Sequence, residues 1–364
     1  MRKGLCMLMT LMCLLVFSCS ALAAGTTVTT FTPFADMDFT AQGYMDIVTA
    51  WEEETGNIVE DYSGLQDDLF LQQMTDKADI VVVPVGSGLT GKQLVSVDEL
   101  LAAAPECGAR KMTAMAESDG SILLTPVRLN WEALYVNTDV LEQNGLSVPT
   151  NYEELVTVCA VLAQKGVTPI ANALCEWSEI ALDCAAMIGA PENQYGQQPS
   201  LDGAKSVLTA LTKVGAFGVD PWNLTDEDAK NTFLEGVAAM RFDGSDLAEL
   251  IGEARQENVA VVSLSGMDGQ PRTRLVGTPS YGLAITRACW QDSTRREAAL
   301  SLVTRLLTGN GAAALASPAS TTKLGQSIAQ MTASASDCAG LLYDLNPDSF
   351  DNWTESVIAS LMAM

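Results

Sequence analysis

Ile80-Val81-Val82-Val83 is an unbroken β-branched row, and such a row suits a strand only where both faces of its sheet are covered. Strands of that kind belong to parallel sheets with helices on either side, and the surrounding sequence keeps that alternation. Val28-Thr29-Thr30-Phe31-Thr32 reads as a first strand stopped by Pro33, with the polar loop Phe34-Ala35-Asp36-Met37-Asp38 at its carboxyl end. Tyr44, Ile47, Val48 and Trp51 then recur at helical spacing through an acidic stretch that Gly56 closes. A short strand from Asn57 to Glu60 and a helical stretch from Asp67 to Thr75 lead into the β-branched row.

From Thr150 the helices lengthen. Thr150 or Asn151 can cap a helix from Tyr152 to Gln164, whose Leu155, Val158, Cys159 and Leu162 form one apolar stripe, and Gly166 ends it. Further helices are predicted at Ile180 to Met187, Leu201 to Val214, Asp226 to Glu235, Leu247 to Gln256 and Arg295 to Leu307. Val259 to Leu264 and Tyr281 to Thr286 read as strands. No internal repeat interrupts this pattern, and 364 residues suffice for about two α/β domains.

Residues 1–24 stand apart. Arg2 and Lys3 precede an apolar run from Leu5 to Phe17 that is too short to span a bilayer and ends in small residues, which is the pattern of a secretory signal peptide. Ala21-Leu22-Ala23 fits ordinary cleavage, whereas Val16-Phe17-Ser18-Cys19 resembles a lipobox in which Cys19 would carry a lipid anchor. Both readings place the mature protein outside the cytoplasm, secreted or held at the membrane, since no later segment is apolar enough to span one.

Removing the signal takes the net charge from −25 to −27, because its only charges are Arg2 and Lys3. So acidic a surface repels phosphate backbones, and no nucleic acid is expected as partner. Six cysteines remain downstream: Cys107, Cys159, Cys175, Cys184, Cys289 and Cys338. An exported chain permits disulfides among them, but buried unpaired thiols satisfy the same sequence. Their spacing has no C-x-x-C cluster and the chain has no histidine, so neither a metal site nor another cofactor is expected.

The missing histidine also removes the base of Ser-His-Asp and Cys-His hydrolases, and neither a G-x-S-x-G elbow nor a Walker A loop occurs. A glycosidase needs only two carboxylates, which 45 acidic residues supply somewhere by chance, so that match carries no weight. A binding protein is expected, not an enzyme.

Several segments occur in a telling order. Asn130-Trp131-Glu132-Ala133-Leu134-Tyr135-Val136-Asn137-Thr138-Asp139-Val140-Leu141-Glu142-Gln143-Asn144-Gly145-Leu146 is followed by Val148-Pro149-Thr150-Asn151-Tyr152-Glu153-Glu154-Leu155 and by Gly166-Val167-Thr168-Pro169-Ile170-Ala171. Phe233-Leu234-Glu235-Gly236-Val237-Ala238-Ala239-Met240, Gly277-Thr278-Pro279-Ser280-Tyr281-Gly282 and Glu297-Ala298-Ala299 come after them. In this order they resemble the family 1 extracellular solute-binding proteins of bacterial ABC importers, the carbohydrate-type, maltose-binding-protein-like group.

The resemblance implies a periplasmic-binding-protein type II fold: two α/β lobes, each a sheet flanked by helices, joined by hinge segments. Lobe one would comprise residues 25–129 and 265–310, and lobe two residues 130–264 and 311–364. Hinges are expected near Pro126 to Trp131, near Leu264 and near Gly309 to Gly311. It also implies a monomer that closes on a small solute, most simply a sugar, and passes it to a membrane permease. A ligand touching both lobes selects the closed state, which the importer can then recognise. A receptor for a polyamine or metal chelate, and a surface sensor, are the alternatives.

Ligands of open α/β sheets sit beyond the carboxyl ends of strands, so the residues there are the candidate contacts. Phe34 and Asp36, with Asp38 nearby, follow the first strand. Trp131 lies where the chain crosses between lobes and could stack on a sugar ring. Trp177 corresponds to an aromatic that many relatives present to the cleft, Trp222 is read as packing, and Tyr281 stands among small residues that let a ligand approach. Asp243-Gly244-Ser245-Asp246 departs from the family, whose sugar-binding members have tryptophan where Asp246 stands; Asp243 and Asp246 can instead accept from hydroxyls or pair with an ammonium.

Overall fold

The computed structural model describes residues 25–34, 38–63, 73, 76–174, 179–191, 201–316, 321–341, 357–359 and 361. The signal segment with Cys19, and most of the helix predicted from Asp67 to Thr75, lie outside them. In chain order the elements are β1 (Thr27–Thr32), α1 (Asp38–Thr55), β2 (Ile58–Ser63), β3 (Ile80–Pro84), α2 (Val97–Ala103), β4 (Thr125–Asn137) and α3 (Thr138–Gln143). There follow α4 (Tyr152–Gln164), α5 (Glu179–Gly189), α6 (Leu201–Lys213), α7 (Asp226–Leu234), β5 (Met240–Gly244), α8 (Leu247–Leu250) and β6 (Val259–Val262). The chain continues through β7 (Arg274–Ile285), α9 (Arg287–Gln291), α10 (Ser293–Leu307), α11 (Gly309–Ala316), α12 (Lys323–Ser334) and β8 (Asp337–Cys338).

Local chemistry explains most boundaries. Tyr44, Ile47, Val48 and Trp51 are buried along α1, and Gly56, at φ +71°, donates its amide to the Glu52 carbonyl as the helix ends. Asn151 caps α4 by accepting from the Glu154 amide at 2.9 Å, the predicted stripe is buried, and Gly166 at φ +73° follows. The helix predicted from Leu247 to Gln256 is shorter: Ile251 and Gly252 turn extended, leaving α8 and a 3-10 stretch from Glu253 to Asn258.

The sheet runs β2-β1-β3-β7-β4-β5, with β6 added to β4 and β8 to β7. β1 pairs parallel with β2 and β3, but β7 is antiparallel to both β3 and β4, and β4 to β5 and β6. The expected all-parallel sheet is therefore a mixed one. The cause is the pair β4 and β7, two long strands that run through both lobes in opposite directions. The first half of β4 pairs with β7 and its second half with β5 and β6, while β7 reaches β3 only from Tyr281 onward.

Two of the expected hinge positions have local surroundings that the pairings and contacts describe. Leu264 is buried in the apolar cluster that includes Leu134 and Phe242, and β7 pairs with β4 around residues 276–281. Gly309 and Gly311 begin α11, which packs on α1: a Cβ on Gly43 of α1 would lie 2.9 Å from Ala314. The next helix, α12, is tied to β6, where its Ser327 hydroxyl accepts from the Val261 amide.

Three apolar clusters hold these layers. Val28, Trp51, Ile80, Val82, Leu283 and Leu302 form one in lobe one; Leu134, Leu155, Cys159, Ile188, Leu208 and Phe242 form one in lobe two. The third, with Val81, Leu129, Trp131, Tyr135, Phe233 and Ile328, runs along the crossing strands between them. Burying one such side chain contributes about 1.5–3 kcal/mol.

Cys107, Cys159, Cys184, Cys289 and Cys338 are all buried and unpaired, and Cys175 lies outside the described residues. Burial pushes the Cys159 and Cys338 thiols up to about 12, with Asp337 adding to the effect at Cys338. Thiolate is the reactive form. Iodoacetamide at pH 8 is therefore expected to leave these five unmodified in the native protein and to label all of them in denaturant; rapid native labelling of any one, read by mass spectrometry, would contradict its placement.

Candidate functional site

The strands β1 and β3 end beside the crossing pair. Pro84 at the end of β3 lies opposite Tyr281 of β7, which in turn lies opposite Arg128 of β4. The Val85 amide donates to the Ser280 carbonyl at 3.0 Å, so the loop after β3 is tied to the crossing strand. On the lobe-two side, β5 ends at Gly244 opposite Glu132. The turn after it is fixed twice: Tyr135 donates its hydroxyl to the Gly244 carbonyl at 2.8 Å, and the Ser245 amide donates to the Trp131 carbonyl at 2.8 Å.

Between these two groups lies the middle of β4, where side chains alternate. Leu129, Trp131 and Ala133 are buried in the crossing cluster, whereas Asn130 is exposed and Glu132 half-buried. Arg128 spans toward lobe two, pairing with Glu249 of α8 at 3.0 Å. Gly277 faces Trp131 at φ +131°, where a Cβ would lie 2.0 Å from the Asn130 carbonyl oxygen, so only glycine lets the two strands approach this closely. The candidate site is thus a polar strip, Arg128, Asn130 and Glu132, on a strand shared by both lobes.

Burial, and then the carboxylates of Glu132, Asp183 and Asp243 at the lobe-two end of the strip, push the Cys184 thiol well up. Burial raises the Tyr135 phenol likewise, with Asp243, Asp246 and Glu249 adding to it. Both groups therefore stay neutral, Tyr135 as a fixed donor. Among the described residues no group of histidine, cysteine and carboxylate side chains is arranged to hold a metal ion.

The predicted contacts separate into three sets. Tyr281 is half-buried beside the strip and packs partly on the lobe-one core, and Asp246 is exposed after β5, with no capping bond from its side chain. Asp36 and Trp177 lie outside the described residues, as does the side chain of Asp38.

The third set is buried. Phe34 is 1% exposed and packs on Tyr44 with ring centroids 4.9 Å apart, so it belongs to the core of lobe one. Trp131 is 4% exposed and stacks on Tyr135, on the face of β4 away from Asn130; its backbone carbonyl, not its indole, serves the site. Asp243 is buried against Arg241 and accepts from the Gly244 amide, so it holds the turn in place and is not free for a ligand. Trp222 packs half-buried on the core of lobe two, as expected.

Asn130 and Glu132 are not among the contacts expected from the sequence. The signal was present: two polar residues at alternate positions in a strand otherwise apolar from Leu129 to Val136.

Two α/β lobes joined by antiparallel crossing strands, with a polar strip between them, define a solute receptor of the two-lobed kind. Solved structures share this architecture over nearly the whole chain. A probable secreted solute-binding lipoprotein from Streptomyces coelicolor aligns with a TM-score of 0.62 at 14% identity, covering 94% of this chain and 100% of that one. The bacterial solute receptor AcbH aligns at 0.60 and 14%, covering 93% and 96%, and RafE from Streptococcus pneumoniae at 0.59 and 16%, covering 93% and 97%.

The family described as bacterial extracellular solute-binding protein matches residues 47–356, and the chain belongs to that family. Its curated relatives match over less. A "Probable sugar-binding periplasmic protein" of Rhizobium meliloti is 26% identical over 142 residues, 35% of this chain and 33% of that protein. Its namesake in Brucella suis is 25% identical over 145 residues, with the same coverage. The chain therefore matches about a third of the length of these relatives. No described helix is long and apolar enough to cross a membrane.

Proposed function

We propose that the protein is exported, captures one small carbohydrate between its lobes, and delivers it as a monomer to the permease of an ABC importer without altering it chemically. The observation that carries this reading is the polar strip on β4. Asn130 is exposed and Glu132 half-buried at the point where one strand belongs to both lobes. An amide and a carboxylate there can accept from and donate to sugar hydroxyls, and Tyr281 and Asp246 stand at either side. The names of the relatives support the ligand class: two are called sugar-binding, and AcbH is described as preferring β-D-galactopyranose.

Half-buried Glu132 and exposed Asp246 favour one second reading, a cationic solute such as a polyamine, because carboxylates pair with ammonium groups. Thermal shift of the exported protein separates the two. A saturable rise with one sugar class is expected, while a rise with polyamines alone would replace the carbohydrate reading, since ligands of the folded state raise Tm by mass action. In calorimetry with the sugar so found, Asn130→Ala and Glu132→Ala are each expected to weaken binding by about 1–3 kcal/mol, the value of a buried hydrogen bond to a ligand hydroxyl. Unchanged affinity in both variants would remove the strip from the site.

A further inference from the structure

A second space lies on the other face of β4. It is a cavity of about 400 Å³, bounded by Leu129, Trp131, Leu306, Leu315, Ala329 and Arg110; Asn130 and Glu132, interleaved on the same strand, do not line it. α10 and α11 wall it from lobe one and α12 from lobe two, so it sits behind the crossing strands, away from the polar strip. Its size falls within the range of small-molecule sites.

Its lining is almost wholly apolar, with one charged exception. Arg110 donates through Nη1 to the Thr332 carbonyl at 2.9 Å and the Ala335 carbonyl at 3.4 Å. Among the described residues no carboxylate pairs with it, and burial holds its pKa below the usual arginine range. A guanidinium offers five N–H groups, and a carboxylate is the partner whose geometry uses them in pairs. A sugar would leave most of its hydroxyls unpaired against this lining, whereas an alkyl or aryl body would not.

We propose that this cavity is a second binding site, for a small amphipathic carboxylate whose apolar body lies beside Trp131 and whose carboxylate pairs with Arg110. Because its walls come from both lobes, its occupant bridges them independently of any solute in the cleft.

The probes are octanoate and octanol, titrated into the exported protein by calorimetry. Octanoate is expected to bind saturably and at least tenfold more tightly than octanol. Arg110→Met is expected to bring octanoate down to the octanol level while leaving octanol unchanged. Ala329→Phe, at a half-exposed wall position, should fill the space and abolish both. Absence of saturable octanoate binding to the wild-type protein, equal affinity for the two probes, or octanoate binding that survives Ala329→Phe would each overturn the site. The wild-type comparison stands even where Arg110→Met does not fold.

Discussion

Arg241→Ala is expected to destabilise the protein by about 3–5 kcal/mol, the range for removing one partner of a buried ion pair and leaving the other charge uncompensated. The Arg241 side chain is 1% exposed and that of Asp243 10%. Arg241 pairs through Nε with Asp243, donates through Nη1 to the Ala171 carbonyl at 2.7 Å, and donates through Nη2 to both oxygens of Asp226 at 2.8 and 2.9 Å. One guanidinium therefore joins β5, the segment after α4 and the first turn of α7. Truncation strands Asp243 in a buried place beside the turn that carries Asp246. Urea unfolding followed by circular dichroism measures the loss. The double change Arg241→Met, Asp243→Leu should recover much of it, since an apolar pair leaves no buried charge. A loss below about 1 kcal/mol in the single variant would mean that the network is solvated in solution.

Gly277→Ala should cost about 2–4 kcal/mol, combining overpacking with a backbone conformation closed to alanine. Its φ is +131°, and the added Cβ would stand 2.0 Å from the Asn130 carbonyl oxygen and 2.8 Å from the Trp131 Cα. Neither neighbour can yield without parting β4 from β7, the two strands on which both lobes are built. Solute affinity should fall together with stability, because Asn130 is displaced first. Gly252→Ala is the control: its φ is −57° and nothing lies within 4 Å of the position, so it should be neutral or stabilise by up to about 1 kcal/mol. Equal Tm for the two variants would contradict the close approach of the crossing strands.

The elements whose signal is local are legible in the amino-acid sequence. The Ile80–Val83 row is a strand buried on both faces, and α4 begins at the Asn151 cap and buries the predicted stripe. Asp243 reads as a ligand contact because its chemistry allows it, but the arginine that claims it lies two residues away on β5, and the Ala171 and Asp226 contacts that orient that arginine come from other segments. Phe34 follows a strand, as a cleft residue should, yet Tyr44 from the next helix covers its ring.

By itself the sequence determined the alternation of strands and helices, their caps and their buried stripes, because each depends on neighbours within a few residues. Its ordered segments also determined the family and so the two lobes. Only the tertiary structure decided that β4 runs against its partner strands and β7 against β3 and β4, that α11 packs on α1, and that Asn130 is exposed where Trp131 is buried. A strand shows two faces in its own periodicity, but which face meets the ligand depends on what packs against the other. Here α10, α11 and α12 take the Trp131 face, and those helices lie more than 150 residues further along the chain.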